Sequence, residues 1–218
     1  MENESSRTSP GIMKWLFAAW AAAAVALAAS GVISVDMPRP LVACLIWIPA
    51  LGFVSVWFVS AAVRQWVTQL DPRWAILYHV VRAGFGTLFL VLYARGSLPG
   101  AFALAAGPGD IVAGAGALLA AACVPIASRA RHRIVFVWNV LALADILLVF
   151  VAAQRIVLFG DGPRALAALL SFPLSLVPVL VVPLILISHF IVFVQLHAAS
   201  RRLGAASGPG LQPGTTLG

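Results

Sequence analysis

LVACLIWIPALGFVSVWFVSAAV, residues 41–63, runs its whole length without a charged side chain. A helix needs about 20 mostly apolar residues to cross a hydrocarbon core of about 30 Å. This stretch meets that length alone, and similar runs lie on both sides of it. MKWLFAAWAAAAVALAASGVISV occupies 13–35, and after the polar RQWVTQLDPR (64–73) a third run covers 74–94. RGSLPG interrupts at 95–100. A fourth run, with no clear start, ends near Ala127 and is stopped by SRARHR (128–133). A fifth covers 134–153, and QRIVLFGDGPR (154–164) carries a Gly-Asp-Gly-Pro turn signal at 160–163. The last run, 164–199, is too long for one span. Pro173 divides it into a short interfacial piece and a sixth span at 173–199.

The expected fold is therefore all-α: six transmembrane helices with short loops over 13–203, between short polar tails at 1–12 and 204–218. Composition agrees. Of the 218 residues, 62% are apolar and 10% charged, and the mean hydropathy is +1.02. A soluble domain of this length could not bury so much apolar surface. A net charge of +7 could suggest nucleic acid, but the arginines stand singly or in small groups between apolar runs, where they orient a membrane chain. No nucleic-acid partner is expected; the lipid bilayer is.

With the N-terminus inside, the cytoplasmic segments hold Arg7, Lys14, Arg64, Arg73, Arg129, Arg131, Arg133, Arg201 and Arg202, and the outer ones Arg39, Arg95, Arg155 and Arg164. That asymmetry places both termini in the cytoplasm. Heavy use of Arg, Ala, Gly and Pro points to a bacterial chain, hence to the inner membrane. Ala26-Leu27-Ala28 resembles a signal-peptidase site, but the apolar run continues to Val35, which favours a retained anchor. Cys44 and Cys123 lie inside apolar runs and read as buried small hydrophobes. Gly109, Ala113, Ala117 and Ala121 form a small-residue ridge, for packing within the chain or against a second copy or other membrane subunits. Gly84 and Gly86 also read as packing. Trp15, Trp57, Trp66 and Trp74 read as interfacial anchors.

Polar groups inside the spans carry the functional signal, because a charge at mid-membrane costs about 2.5–3.5 kcal/mol on insertion scales. At 1.5 Å per residue, Tyr78, His79 and Arg82 lie about 6, 8 and 12 Å from the cytoplasmic end, Asn139 about 8 Å, and Asp145 and His189 about 16 Å. These six are the candidate polar pocket. Arg82 needs an anionic or carbonyl partner, and Asp145 suits it by depth; the pair either fixes helix register or lines a site for a headgroup, ion or proton. His79 and His189 are also candidate axial ligands of a b-type haem, as an alternative to a chain without cofactor. No metal-ligand motif, P-loop, GxSxG or dinucleotide fingerprint is present. LPGAFALAAGPGD (98–110) suits a plain helix poorly. It reads as an outer-side motif in which Gly107 and Gly109 precede Asp110, either as a loop whose Asp110 caps the fourth helix or as a re-entrant segment.

LPGAFALAAGPGD, VWNVLALAD (137–145) and the proline-bearing last span ending in SHFIVFVQL (188–196) resemble an uncharacterised group of bacterial multi-pass membrane proteins with LPxxFAxxAGxGD and WNxxxxxD motifs. The resemblance marks Gly107, Gly109, Asp110, Trp138, Asn139, Asp145 and His189 and implies no activity. The leading expectation is a membrane protein that binds or moves a small solute, proton or lipid headgroup. The alternatives are a redox or enzyme subunit using haem, quinone or lipid, and a structural subunit of a membrane complex. The loops are too short for a separate catalytic domain, so any chemistry must lie within the helices or at their ends.

Overall fold

The computed structural model describes residues 10–160 and 162–205, and among these every regular element is helical. Five helical segments are long and apolar enough to cross a membrane: Pro40–Val59, Pro72–Ala94, Gly100–Ala122, Arg129–Phe159 and Val177–Ala205. A shorter apolar stretch, Met13–Ala29, forms most of α1 (Pro10–Ala29). The tails expected at 1–12 and 204–218 fall outside the described residues over 1–9 and 206–218, as does Asp161 of the 160–163 turn.

The quoted stretch is helical only to Val59, not to Val63. α2 (Arg39–Val59) stops because Ser60 is extended (φ −107°, ψ 114°), and its hydroxyl accepts from Val63 N to cap a new helix, α3 (Ala61–Gln69). Arg64 of α3 then donates to the free carbonyls of Trp57 and Phe58 at 3.2 and 2.7 Å. α3 is amphipathic and turns Val63 and Val67 inward. Asp71 accepts from Arg73 N to start α4 (Pro72–Leu77), and one turn at Tyr78–His79 joins it to α5 (Val80–Ala94).

The larger correction concerns 98–110. It is neither a loop nor a re-entrant segment. α6 runs unbroken from Gly100 to Ala122, with Pro108 inside it and Asp110 buried near its middle. In lipid no water satisfies a backbone that leaves the helix, so helix continues through Gly and Pro positions that would break it in water. α7 is longer than expected, Arg129–Phe159, because Ser128 caps it and SRARHR supplies its first turn. After α7, Gly162 turns the chain at φ +76°, and a 3₁₀ turn (Pro163–Leu166) leads to the short α8 (Ala167–Leu170). The chain re-enters beyond Pro173 through a π turn, Val177–Val181, into α9 (Val182–Ala205).

α9 is the hub: half of its apolar window is buried, against 11% for α2. Gln195 of α9 donates to the carbonyls of Val67 and Leu70 at 2.9 and 2.7 Å, and Arg73 donates to Val124 O at 2.7 Å. These bonds tie together the side that carries Lys14, Arg64, Arg73, Arg129, Arg131, Arg201 and Arg202, called here the basic side. On the opposite side Ser175 Oγ donates to Ala28 O at 3.1 Å, joining the end of α1 to the start of the last span. Trp15 and Trp74 are exposed. Trp57 and Trp66 pack with Phe17, Phe53 and Phe190 in an aromatic cluster with 5.2–6.5 Å between ring centroids. The exposed apolar residues of α2, α6 and α7, such as Ile48, Val112 and Leu148, form the surface that suits lipid contact.

Candidate functional site

Arg82 is the largest fully buried side chain among the described residues. Its guanidinium reaches from α5 to two neighbouring helices. Nε donates to Asp110 Oδ1 of α6 at 2.7 Å, Nη1 to Ala142 O of α7 at 2.8 Å, and Nη2 to Asp145 Oδ2 of α7. Asp110 is buried, while Asp145 keeps 20% of its side chain exposed, toward a groove between α6 and α7 lined by Pro108, Gly109 and Gly116. Arg82 stands about 15 Å from Pro72, and Asp110 about 15 Å from Gly100, at 1.5 Å per residue. Both are therefore at mid-height. As an N-terminal cap Asp110 would lie near the outer face; the helix instead begins at Gly100 and carries Asp110 to its middle.

Such reach needs close helices. A Cβ on Gly86, one turn beyond Arg82, would lie 2.5 Å from Gly107 O and 3.0 Å from Asp110 Cβ. A Cβ on Gly109 would fall on the Asp145 carboxylate, and one on Gly114 would lie 2.6 Å from Ala83 N. The glycines of α6 thus admit α5 on one side and the Asp145 head on the other. The ridge Gly109, Ala113, Ala117, Ala121 belongs to this internal packing: Ala113 O accepts from Trp138 Nε1 at 3.0 Å, and Ala117 and Ala121 are buried.

A second polar layer adjoins this cluster. His79, one turn before Arg82, is wholly buried, and its Nε2 lies 2.8 Å from Ser188 Oγ of α9. His189 is buried beside it, with Nδ1 2.8 Å from Asn139 Oδ1 of α7, while Asn139 Nδ2 donates to His189 O at 3.3 Å. The two imidazole centroids are 4.3 Å apart, and Trp138 meets His79 edge-on at 5.1 Å. Five of the six pocket residues therefore converge: His79, Arg82, Asn139, Asp145 and His189. Tyr78 stands at the edge, its hydroxyl 3.5 Å from Val181 O, long for a hydrogen bond. Asp110 joins the cluster. Gly107 and Gly109 act as its spacers. Ser188 joins His79 because α9 packs on α4, which ends beside that histidine.

The histidine rings touch directly. A porphyrin needs its two axial imidazoles on opposite faces of the macrocycle, and rings in contact leave no gap for one. Among the described residues no group of three or more His, Cys, Asp or Glu side chains is placed to hold a metal ion.

Besides the α6–α7 groove at Asp145, an opening from each end reaches these layers. From the non-basic side an apolar chamber of about 120 Å³, walled by Phe85, Phe89, Phe102, Ile146 and Val149, ends on Arg82 and Asp110. From the basic side a cleft lined by Lys14, Asp71 and Trp66 reaches Tyr78 and Ser188.

The model of a family described as a domain of unknown function, DUF8737, matches residues 39–197. The chain belongs to that family. The DUF8737 match runs from the start of α2 almost to the end of α9 and contains every residue of both polar layers. No curated protein matches the chain, and no solved structure does.

Proposed function

We propose that this DUF8737 protein is a six-span carrier of the bacterial cytoplasmic membrane, with α1 as its first span and the basic side in the cytoplasm. Its mid-membrane cluster binds one proton, or one small cation in its place, and carries it across the membrane. The observation that carries the reading is a charge count. One guanidinium lies between two carboxylates, Asp110 and Asp145, among helices that bury Arg82 and Asp110 and leave Asp145 only partly exposed. With all three groups ionised, the trio holds a net charge of −1, and an uncompensated charge at this depth is costly. One exchangeable cation balances it. The openings toward both sides support a path through the cluster, and the Lys and Arg asymmetry supports the orientation.

Proteoliposomes under a potassium diffusion potential, with a pH-sensitive dye inside, test this. Proton entry above that of empty liposomes is expected for the wild type and not for Asp110→Asn or Asp145→Asn. Entry at the level of empty liposomes in the wild type defeats the reading. A second reading, a subunit acting on a quinone or lipid, draws on the lining of the apolar chamber, whose aromatic and aliphatic walls end on two polar groups, Arg82 and Asp110.

A further inference from the structure

On the basic side, between the end of α3, the start of α4, the α6–α7 link and the end of α9, lies a pocket of about 590 Å³. It shares no lining residue with either polar layer. Gln195 of α9 is part of its wall. The amide is fixed: Nε2 donates to Val67 O and Leu70 O, and a turned amide would set its oxygen against both carbonyls. Oε1 is thereby left as a buried acceptor without a partner. Such an acceptor is costly, and folded chains rarely keep one. Two guanidiniums line the same pocket. Arg73 gives Nη2 to Val124 O, and Arg202, in the last turn of α9, has no acceptor among the described residues. Asp71, the one carboxylate in the lining, accepts from Arg73 N and is ion-paired with neither arginine. Two guanidiniums against one carboxylate leave the pocket a net charge of +1. Leu70, Val124, Ile126 and Leu203 give it apolar walls. Arg73 lies next to Pro72, about 15 Å from mid-height, so the pocket sits where a hydrocarbon core of about 30 Å gives way to headgroups.

We propose that this pocket binds one phospholipid whose headgroup is a phosphodiester monoanion bearing free hydroxyls, with its phosphate on Arg73 and Arg202 and a hydroxyl donating to Gln195 Oε1. The inference goes beyond the carrier reading and uses none of the cluster's residues. A monoanion matches the net charge of the pocket. A zwitterionic head leaves that charge uncompensated, and a dianionic phosphomonoester exceeds it. Arginine suits phosphate because its planar fork presents several donors at once. The hydroxyl supplies the one donor that Gln195 lacks, and the apolar walls receive the glycerol and the first acyl carbons.

The test uses the full chain in nanodiscs of phosphatidylcholine with a minor fraction of the tested lipid. Native mass spectrometry then counts the lipids each chain retains. Phosphatidylglycerol, a monoanion with hydroxyls, is expected to be retained as one molecule per chain. Phosphatidylmethanol carries the same charge without a hydroxyl and is expected to be retained about fivefold less, the size of one hydrogen bond. Phosphatidylethanolamine offers N–H donors without net charge and is also expected to be retained less. Arg202→Gln weakens retention of phosphatidylglycerol about tenfold, as the loss of a hydrogen bond to a charged group. Arg201→Gln makes the same change of charge one residue away, outside the lining, and weakens it less. Both arginines are exposed, so both variants keep the fold, which circular dichroism checks. Equal retention of phosphatidylglycerol and phosphatidylmethanol overturns the proposal, as does equal retention of phosphatidylglycerol and phosphatidylethanolamine. An equal loss in the two arginine variants also overturns it, because diffuse attraction between a basic surface and anionic lipid acts on both alike. Water-soluble glycerophosphoglycerol, the same head without tails, is added last. Failure to displace the lipid supports a lipid ligand, and full displacement refutes it.

Discussion

Gly86→Ala tests the packing on which the charge cluster depends, and Gly84→Ala, two residues away on the same helix, is its control. A methyl on Gly84 meets nothing within 4 Å. A methyl on Gly86 meets Gly107 O at 2.5 Å, Asp110 Cβ at 3.0 Å and Ile111 Cγ1 at 3.1 Å. The nearest atom is backbone, so no rotamer change relieves the clash and α5 and α6 must separate. Both variants gain the same helix propensity, about 1 kcal/mol per Gly→Ala exchange, so it cancels between them. Overpacking costs about 1–3 kcal/mol. With an obstructing backbone oxygen, the difference is expected in the upper half of that range, about 2–3 kcal/mol or roughly 30- to 150-fold in the folding equilibrium. Reversible unfolding in mixed detergent–SDS micelles, followed by tryptophan fluorescence, measures it. Equal stabilities of the two variants would show that α5 and α6 do not approach as described, and the Arg82–Asp110 contact would lose its support.

Arg82→Gln leaves two carboxylates buried without their cation and is expected to cost about 3–5 kcal/mol; the triple variant with Asp110→Asn and Asp145→Asn recovers part of this loss in the same assay, and a triple no better than the single variant counts against the charge argument. Double-mutant cycles should give a larger coupling for Arg82–Asp110 than for Arg82–Asp145, because the first carboxylate is 5% exposed and the second 20%; the reverse order contradicts the burial described. Trp138→Phe removes the donor to Ala113 O and should cost about 1 kcal/mol, whereas loss below the error of the unfolding measurement argues against that bond. Gly109→Ala pushes a methyl into the Asp145 head, so Asp145→Ala in the same chain should restore stability; additive losses refute the contact.

The class of fold was legible because charge is so scarce. Apolar runs bounded by SRARHR or RQWVTQLDPR read as spans with little else to decide. What misled was the transfer of rules that hold in water. Gly107-Pro108-Gly109-Asp110 has the composition of a turn and cap, and in water it would open to solvent. In lipid the same residues stay helical, and their smallness serves the neighbours. A signal for this was present: Ala103, Gly107, Ala113, Gly114, Ala117 and Ala121 repeat at helical spacing on both sides of Asp110 and are all buried. Following that period back from Ala121 would have started the helix before Gly107 and moved Asp110 to mid-span. Ser60 was opaque for a different reason. A serine within an apolar run passes as helical until Arg64 and the capped α3 show where the carbonyls end. Which helix faces met was not written in any one segment, and so the parts that Ser188 and Gln195 play needed the tertiary structure.

The aspartates and the glycines are parts of one device. A guanidinium on α5 reaches a carboxylate on α6 and another on α7 only if the three helices nearly touch. Gly86 and Gly107 provide the approach of α5 to α6, and Gly109 provides the hole that the Asp145 head fills. Ordinary residues at these positions would still give a membrane bundle, but with the charges too far apart to share Arg82. A bundle under selection for stability alone would do better without the trio, since well-packed apolar residues can replace a buried ion cluster at no loss or with gain. Keeping the trio requires both the close glycines and the unpaired charge of a second carboxylate. That second carboxylate is the part a purely structural ion pair does not need: Arg82 with Asp110 is already neutral. Asp145, partly exposed to the α6–α7 groove, is therefore the residue whose role separates a locked bundle from one that takes up and releases a proton.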